Sequence, residues 1–165
     1  MPEQTVTVVT DSTAYLPAGI AEALGVVLVP LHVRLGDRHF AEGVDLSVAE
    51  FVEWIRQPGH LAMTSQPTTA QIAAAYASAP GAVVSVHLSS ALSGTCSSAQ
   101  LAAETAGKPV RVVDSRNVAM GLGFAVIAAA ETARQGAGLA EVAEAAQRAA
   151  ARSRTMFYVD SLEAL

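Results

Sequence analysis

Short runs of β-branched residues alternate with helical stretches along this 165-residue chain, and this alternation constrains the fold more than any other feature. The runs at 5–10, 83–88 and 110–113 have the composition of strands, and each is followed by a helical pattern. Strands linked through helices join by right-handed crossovers, which place them side by side in one sheet. The sequence therefore predicts an α/β fold, with a mainly parallel sheet flanked by helices.

Start and stop signals set the remaining elements. Pro17 and Gly25 bound one predicted helix, Ser47 and Glu50 form a capping box, and Gly36 begins a hairpin turn. Helices are predicted at 17–25, 47–56, 68–78, 95–105, 118–134 and 139–152. Further strands are predicted at 26–33, 38–40 and 155–159, and 64–68 is predicted to be an irregular polar loop. Pro30 suggests an edge or a bulge in the second strand.

Charge and cysteine content exclude several classes of protein. The net charge is -5, without a cluster of Lys and Arg, which argues against nucleic-acid binding. Cys96 is the single cysteine, so an intrachain disulfide is impossible and a reducing, cytoplasmic location is expected. The polar N-terminus does not resemble a signal peptide, and the apolar run 118–130 is shorter than the roughly 18 residues of a membrane span. We therefore expect no integral membrane segment.

The balance of apolar and charged residues suggests an additional use for apolar surface. Hydrophobic residues make up 52% of the chain, whereas charged residues make up only 15%. Apolar area beyond what a core needs is typical of a surface that meets a partner, another domain or an apolar ligand.

Polar groups follow three of the predicted parallel strands, at the edge of the sheet where ligands of such folds bind. They are Asp11, Ser12 and Thr13 after the first, Ser89, Ser90, Ser93, Gly94 and Thr95 after the third, and Asp114 and Ser115 after the fourth. Each cluster alone fits a capped helix start as well as a binding site, because these residue types are preferred caps. The Ser93-Gly94-Thr95 turn points further toward a carboxylate or phosphate, since glycine admits close approach and a helix start offers free amides.

Motifs for other chemistry are missing from the sequence. No dinucleotide fingerprint follows the first strand, and neither a P-loop nor a serine nucleophile elbow is present. The four histidines lack metal-ligand spacing, and Cys96 has no cysteine partner. We therefore expect no metal, no cofactor and no catalytic residue, and we interpret His87 as a core histidine with its nitrogens hydrogen-bonded.

Four motifs in order carry a resemblance to a known family. They are Thr-Val-Val-Thr-Asp-Ser-Thr at 7–13, Thr-Ser-Gln-Pro-Thr at 64–68, Leu-Ser-Ser-Ala-Leu-Ser-Gly-Thr at 88–95 and Val-Asp-Ser-Arg-Asn-Val-Ala-Met-Gly-Leu-Gly at 113–123. Together they resemble the DegV family of bacterial fatty-acid-binding proteins, from about Thr7 to Leu165. The resemblance implies a two-domain α/β protein that encloses one long acyl chain, such as palmitate.

The same resemblance implies a site and a partner. The carboxylate of the acid would be held by Thr64 and Ser93. The supporting pocket would include Asp11, Ser12, Ser89, Ser90, Gly94, Thr95, Asp114 and Ser115. The bound acid would be carried in lipid transport or fatty acid metabolism and presented to a separate ATP-dependent fatty acid kinase. The chain itself would be a carrier and not the catalyst.

This chain is much shorter than the members of that family, in which a Gly-Gly-Arg segment follows the equivalent of residues 160–165. We therefore expect residues 1–165 to form the first, DegV-like domain, with the second, lipid-enclosing domain absent from this chain. Two alternatives remain open. One is an enzyme for a small phosphorylated or carbonyl substrate, using Asp11, Ser93 and Asp114; the other is an interaction domain whose apolar face contacts a missing half.

Overall fold

A computed structural model of the chain describes residues 5–158. Its strands are β1 (Val6–Asp11), β2 (Val27–Val29), β3 (His32–Leu35), β4 (Arg38–Ala41), β5 (Ala62–Ser65), β6 (Ala82–His87) and β7 (Val110–Asp114). Its helices are α1 (Ile20–Leu24), α2 (Val48–Ile55), α3 (Thr69–Ser78), α4 (Thr95–Glu104), α5 (Met120–Arg134) and α6 (Leu139–Arg152). A single 3₁₀ turn, Ser12–Ala14, follows β1 directly.

The main sheet has the strand order β2-β1-β6-β7, and every neighbouring pair is parallel. Helices cover both of its faces. Val8 of β1 and Val84 of β6 pack with α5 and α6, whereas Val9 and Val83 pack with α3 and α4. Strands buried on both faces are typical of parallel sheets, which explains why β1 and β6 are apolar or small at nearly every position. The predicted α/β class and parallel sheet are confirmed.

A second, smaller sheet lies between β2 and α3 in the sequence. Its strand order is β4-β3-β5, and both pairs are antiparallel. Val33 and Leu35 face α2, whose Phe51 and Trp54 cover this side of the sheet. The predicted hairpin turn is confirmed at Gly36, where a positive φ of 60° joins β3 to β4.

The prediction of one continuous strand at 26–33 is wrong. The chain instead forms β2 in the main sheet and β3 in the small sheet, with Pro30 and Leu31 between them. Proline has no N–H to donate to a neighbouring strand. The next N–H, that of Leu31, donates to the Ser12 hydroxyl at 2.9 Å, so the chain leaves the main sheet at this point.

Two further predictions are corrected. Thr64 and Ser65 are not in a loop but in β5, because β3 offers them a partner: Thr64 lies opposite Val33. No strand is present at 155–158, and Val159 lies outside the described residues. The N–H of Thr155 donates to the side chain of Asn117 at 3.2 Å instead of to a neighbouring strand.

The predicted helices are confirmed, with shifts of a few residues at some ends. α1 begins at Ile20, later than Pro17 suggested, and α5 begins at Met120. The capping box from Ser47 to Glu50 is present, and a second box joins Thr68 to Gln71. Among the residues from 5 to 158, no helix has both the length and the apolar character to cross a membrane.

A pair of threonines on β1 provides a test of this packing. Thr10 is fully buried and its hydroxyl has no hydrogen-bond partner within the described residues, whereas the hydroxyl of Thr7 donates to the carbonyl of Pro80 at 2.8 Å. A buried hydroxyl without a partner costs about 1–3 kcal/mol. Thr10→Val should therefore leave the free energy of unfolding unchanged or raise it by about 1 kcal/mol, whereas Thr7→Val should lower it by a similar amount.

Urea denaturation of the two variants and the wild type measures this difference. An equal loss of stability in both variants would contradict the assignment of Thr10 as unpaired.

Candidate functional site

The polar ends of β1, β6 and β7 meet at one edge of the main sheet, as the sequence predicted. The Asp11 carboxylate accepts the N–H of Leu88 at 3.0 Å, which links the end of β1 to the end of β6. The Ser90 hydroxyl donates to Asp114 at 2.6 Å, which links the turn after β6 to β7. The three clusters therefore form one rim.

Asp11 lies at the centre of this rim and is fully buried. One carboxylate oxygen accepts from the N–H and hydroxyl of Thr13, and the other accepts from Leu88 and lies 2.9 Å from His87 Nδ1. Burial raises the pKa of the Asp11 carboxyl. The interaction with His87 and the hydrogen bonds from Thr13 and the Leu88 N–H together lower it by a larger amount, so the pKa lies below its usual value. Because both carboxylate oxygens are hydrogen-bonded within the chain, Asp11 links β1 to β6 and does not face a ligand.

A buried relay extends from Asp11 into the core. His87 Nε2 lies 2.7 Å from the Ser85 hydroxyl, which lies 2.8 Å from the hydroxyl of Tyr76. Each proton has an acceptor when Tyr76 donates to Ser85, Ser85 donates to Nε2, and Nδ1–H donates to Asp11. The interpretation of His87 as a hydrogen-bonded core histidine is confirmed.

Ser85, His87 and Asp11 are connected as in a Ser-His-Asp triad, a constellation that the sequence analysis missed. The available signal was the alternation of β6, which places Ser85 and His87 on the same face. Ser85 is fully buried beneath Tyr76, itself fully buried. A substrate therefore has no path to its hydroxyl, and this arrangement stabilises the core.

Ser93 lies in a more accessible part of the rim, beside the buried Thr95. The Ser93 and Thr95 hydroxyls lie 2.9 Å apart, and the Thr95 N–H donates to Ser93 Oγ at 3.3 Å. Thr95 is fully buried, and Ser93 Oγ is the partner of its hydroxyl within the described residues, so we assign Thr95 as the donor. Ser93 Oγ then accepts two hydrogen bonds and keeps its own proton for a ligand. Ser93 itself is half-buried.

Thr64 lies on β5 of the small sheet. Its side chain is exposed, and its hydroxyl has no hydrogen-bond partner among residues 5–158. Two residues further on, the carboxamide of Gln66 lies against the Cα of Gly94 and donates to Ser98 of α4 at 3.2 Å. The structure thus brings the segment that carries Thr64 to the start of α4. The sequence analysis did not single out Gln66.

The other predicted pocket residues form hydrogen bonds within the chain. Ser12 accepts from Leu31 and donates to Glu42 at 2.6 Å. The Asp114 carboxylate accepts hydrogen bonds from the N–H and the hydroxyl of Ser90 and from the N–H of Arg116. The Ser115 hydroxyl donates to the carbonyl of Asn117, and the Ser89 hydroxyl accepts from the N–H of Ala91. These contacts shape the turns. Ser89 also keeps a hydroxyl proton, because it only accepts here, but Ser89 is buried, whereas Thr64 is exposed and Ser93 is half-buried.

Three surface cavities have volumes of about 500 to 700 Å³, and that of about 700 Å³ lies along α2. One of about 670 Å³ opens between the start of α5 and the end of α6, beside Phe124, Arg152 and Met156. A neighbouring cavity of about 500 Å³ includes Asp114 and Ser115. None of the three has Thr64 or Ser93 in its lining.

Metal and thiol chemistry find no support in the described part of the chain. No group of three His, Cys, Asp or Glu residues lies close enough there to hold a metal ion. Cys96 is buried beside the carbonyl of Leu88, and burial, with smaller contributions from the charges of Asp114 and Asp11, raises the pKa of its thiol to about 12. The thiolate is therefore disfavoured at neutral pH.

Comparison with known proteins gives a consistent result. The family model described as "Uncharacterised protein, DegV family" matches residues 5–165. A DegV domain-containing protein of Streptomyces coelicolor is 44% identical over 97% of this chain, and one of Deinococcus radiodurans is 40% identical over 97%. The chain spans 58% of the length of each of these relatives.

Solved structures resemble the fold closely. A DegV family protein from Thermus thermophilus, described by its fatty acid binding, superposes with a TM-score of 0.81 at 34% identity. DegV of Bacillus subtilis, described as a fatty acid binding protein, superposes with a TM-score of 0.83 at 31% identity. The matches cover 89% and 88% of this chain but 54% and 53% of those chains.

The lowered pKa of Asp11 predicts a loss of stability in acid. Because its folded pKa lies below the unfolded value near 3.8, its contribution is complete above that value and is lost as the pH falls through the folded pKa. Asp11→Asn should flatten this part of the pH dependence and lower the free energy of unfolding at pH 7 by about 3 kcal/mol, because it breaks the buried pair with His87.

Thermal unfolding from pH 2 to 7 measures both effects. Asp37→Asn is the matched control, since Asp37 is exposed. An acid profile unchanged by Asp11→Asn would contradict the role given to Asp11.

Burial of Ser85 predicts an inert hydroxyl despite its histidine. A fluorophosphonate probe should leave Ser85 unlabelled in the folded chain, because Ser85 and its hydrogen-bond partner Tyr76 are both fully buried. Mass spectrometry of the digested protein detects labelling. Labelling of native protein that disappears in Ser85→Ala would instead indicate a working nucleophile.

Proposed function

The chain belongs to the DegV family, and we propose that it forms the part of a fatty-acid-binding protein that holds the carboxylate of a long-chain fatty acid. The descriptions of the Thermus and Bacillus proteins as fatty-acid-binding support this assignment. Since this chain spans about half of those proteins, we assign to it the head-group contacts and to the remaining part the enclosure of the acyl chain.

The state of the Ser93 hydroxyl is the observation that carries the proposal. It accepts the Thr95 N–H and lies 2.9 Å from the Thr95 hydroxyl; with the buried Thr95 assigned as the donor of that contact, Ser93 keeps its own proton to donate. Hydrogen bonds in a chain polarise one another, which strengthens the outward donor. A carboxylate accepts such a bond well, and Thr64 offers a second hydroxyl from the neighbouring small sheet.

The acyl tail and the carboxylate contribute differently to the binding free energy. Burial contributes about 0.8 kcal/mol for each CH₂, so about fourteen methylenes of a palmitate-sized chain gain roughly 11 kcal/mol before ordering costs. Each hydrogen bond to the carboxylate contributes about 1.5–3 kcal/mol. The tail therefore dominates the affinity, while Thr64 and Ser93 decide which end of the acid lies at the rim.

A carrier role in lipid transport or fatty acid metabolism follows from an accessible head group. Thr64 is exposed and Ser93 only half-buried, so a separate ATP-dependent fatty acid kinase could reach a carboxylate held between them. Leu92, 56% exposed beside Ser93, offers apolar surface for such a partner. The action would take place in the cytoplasm, where the single buried thiol of Cys96 stays reduced.

Removal of either hydroxyl tests the proposal. Thr64→Ala and Ser93→Ala should each weaken binding of palmitate by about 1.5–3 kcal/mol, and binding of its methyl ester by much less, because the ester head group is uncharged. Calorimetric titration is carried out with this chain and with a chimaera that adds the remaining part of the Streptomyces relative.

Ser65→Ala and Ser97→Ala are the matched controls. Ser65 neighbours Thr64 but lies opposite His32 on the other face of the small sheet, and Ser97 is an exposed serine of α4. Equal losses for acid and ester in the Thr64 and Ser93 variants would mean that these hydroxyls only shape the backbone. The head-group assignment would then be wrong.

The ligand retained by the protein gives an independent test. Native mass spectrometry of the chimaera purified from bacteria should detect a bound acid of about palmitate length, because burial of that many methylenes keeps dissociation slow. A retained phosphorylated metabolite would instead favour an enzyme that uses the same helix start, since hydroxyls and amides there also suit a phosphate.

A further inference from the structure

The space beside the Cα of Gly94 is filled by another residue of the chain. The sequence suggested that this glycine admits a ligand to the backbone. In the structure, however, a Cβ on Gly94 would come within 2.4 Å of Oε1 and 2.8 Å of Nε2 of Gln66. The space that a side chain would fill is therefore occupied by the chain's own carboxamide.

The position of Gln66 connects two parts of the molecule. It follows β5, whose partners are in the small sheet, yet its Nε2 donates to Ser98 of α4, which packs on the main sheet. Thr64 precedes Gln66 by about 7 Å of extended chain, and Ser93 directly precedes Gly94. The contact thus joins the residue two positions after Thr64 to the residue directly after Ser93.

We propose that Gln66 is a positioning residue that sets the separation of Thr64 from Ser93, and that position 94 is glycine in order to admit it. This inference rests on the proposed function. The small sheet is joined to the main sheet at this side by side-chain contacts and not by strand pairing, because β5 pairs with β3 alone. Without the Gln66 contact, Thr64 could move relative to Ser93, and one carboxylate could no longer accept from both hydroxyls at good geometry.

A double-mutant cycle tests the coupling. Gly94→Ala should displace the Gln66 side chain, and Gln66→Ala removes it, so each should weaken palmitate binding about fivefold to tenfold, the effect of about one hydrogen bond. The methyl ester should be affected less than twofold. Gly94→Ala should have little further effect when Gln66 is already alanine, because no carboxamide remains to be displaced.

A charge at this position gives a second readout. Gln66→Glu keeps the length of the side chain but places a negative charge beside the proposed head group. Like-charge repulsion should weaken palmitate binding severalfold at low salt, less at high salt, and leave the ester unchanged. A merely structural role for Gln66 would affect acid and ester alike and would not depend on salt.

Matched controls separate these effects from general destabilisation. Gly138→Ala changes a glycine whose added Cβ would meet no atom closer than 3.9 Å, and Gln100→Ala truncates an exposed glutamine of α4. Neither should change affinity. Urea unfolding of all variants without ligand measures the Gly94–Gln66 coupling independently of binding.

The possible outcomes distinguish the two proposals. Binding of palmitate by the wild-type chimaera, with additive effects in the cycle or equal losses for acid and ester, overturns the positioning role and leaves the proposed function intact. A wild-type chimaera that binds neither ligand overturns the proposed function and the positioning role together. In that case, a non-additive unfolding cycle would assign the contact to stability alone.

Discussion

The buried hydrogen bond between Asp11 and His87 joins the two central strands at the edge where the site lies. A carboxylate in this position would be costly without partners, and the structure gives it donors from Thr13, Leu88 and His87. The same carboxylate fixes the N–H of Leu88, the first residue after β6. The turn that leads to Ser93 therefore begins from a fixed point, and the geometry of the rim depends on this interaction.

Several polar side chains of the rim hydrogen-bond within the chain, whereas Ser93 is proposed to contact the ligand. Asp11, Asp114 and Ser12 have their hydrogen bonds within the chain, so their presence at the edge of the sheet does not make them ligand-binding groups. Ser93 differs because its oxygen accepts the Thr95 N–H and lies 2.9 Å from the Thr95 hydroxyl, which we assign as a second donor. Ser85 also hydrogen-bonds within the chain: its partners resemble a catalytic triad, but its burial excludes a substrate. Accessibility separates the Ser93 hydroxyl, which we propose binds the carboxylate, from the structural hydroxyl of Ser85.

The small sheet carries Thr64, the second residue that we propose holds the carboxylate. It holds Thr64 on β5, and α2 covers it through Phe51 and Trp54, so it is a compact unit beside the main sheet. Its attachment to the main sheet includes the hydrogen bonds of Ser12 with Glu42 and of Gln66 with Ser98. Because these hydrogen bonds are made by side chains, a substitution at these positions removes the contact, whereas the backbone hydrogen bonds within each sheet do not depend on the side chain.

The sequence by itself determined the alternation of strands and helices, the capping box at Ser47, and the gathering of Asp11, Ser93 and Asp114 at one edge. These follow from periodicity and local hydrogen bonding, which neighbouring residues decide. Only the tertiary structure decided that the run at 26–33 divides at Pro30 between two sheets, and that Thr64 lies in a strand. It also decided that Gln66 fills the space beside Gly94. Each of these depends on a partner distant in sequence, which no local pattern encodes.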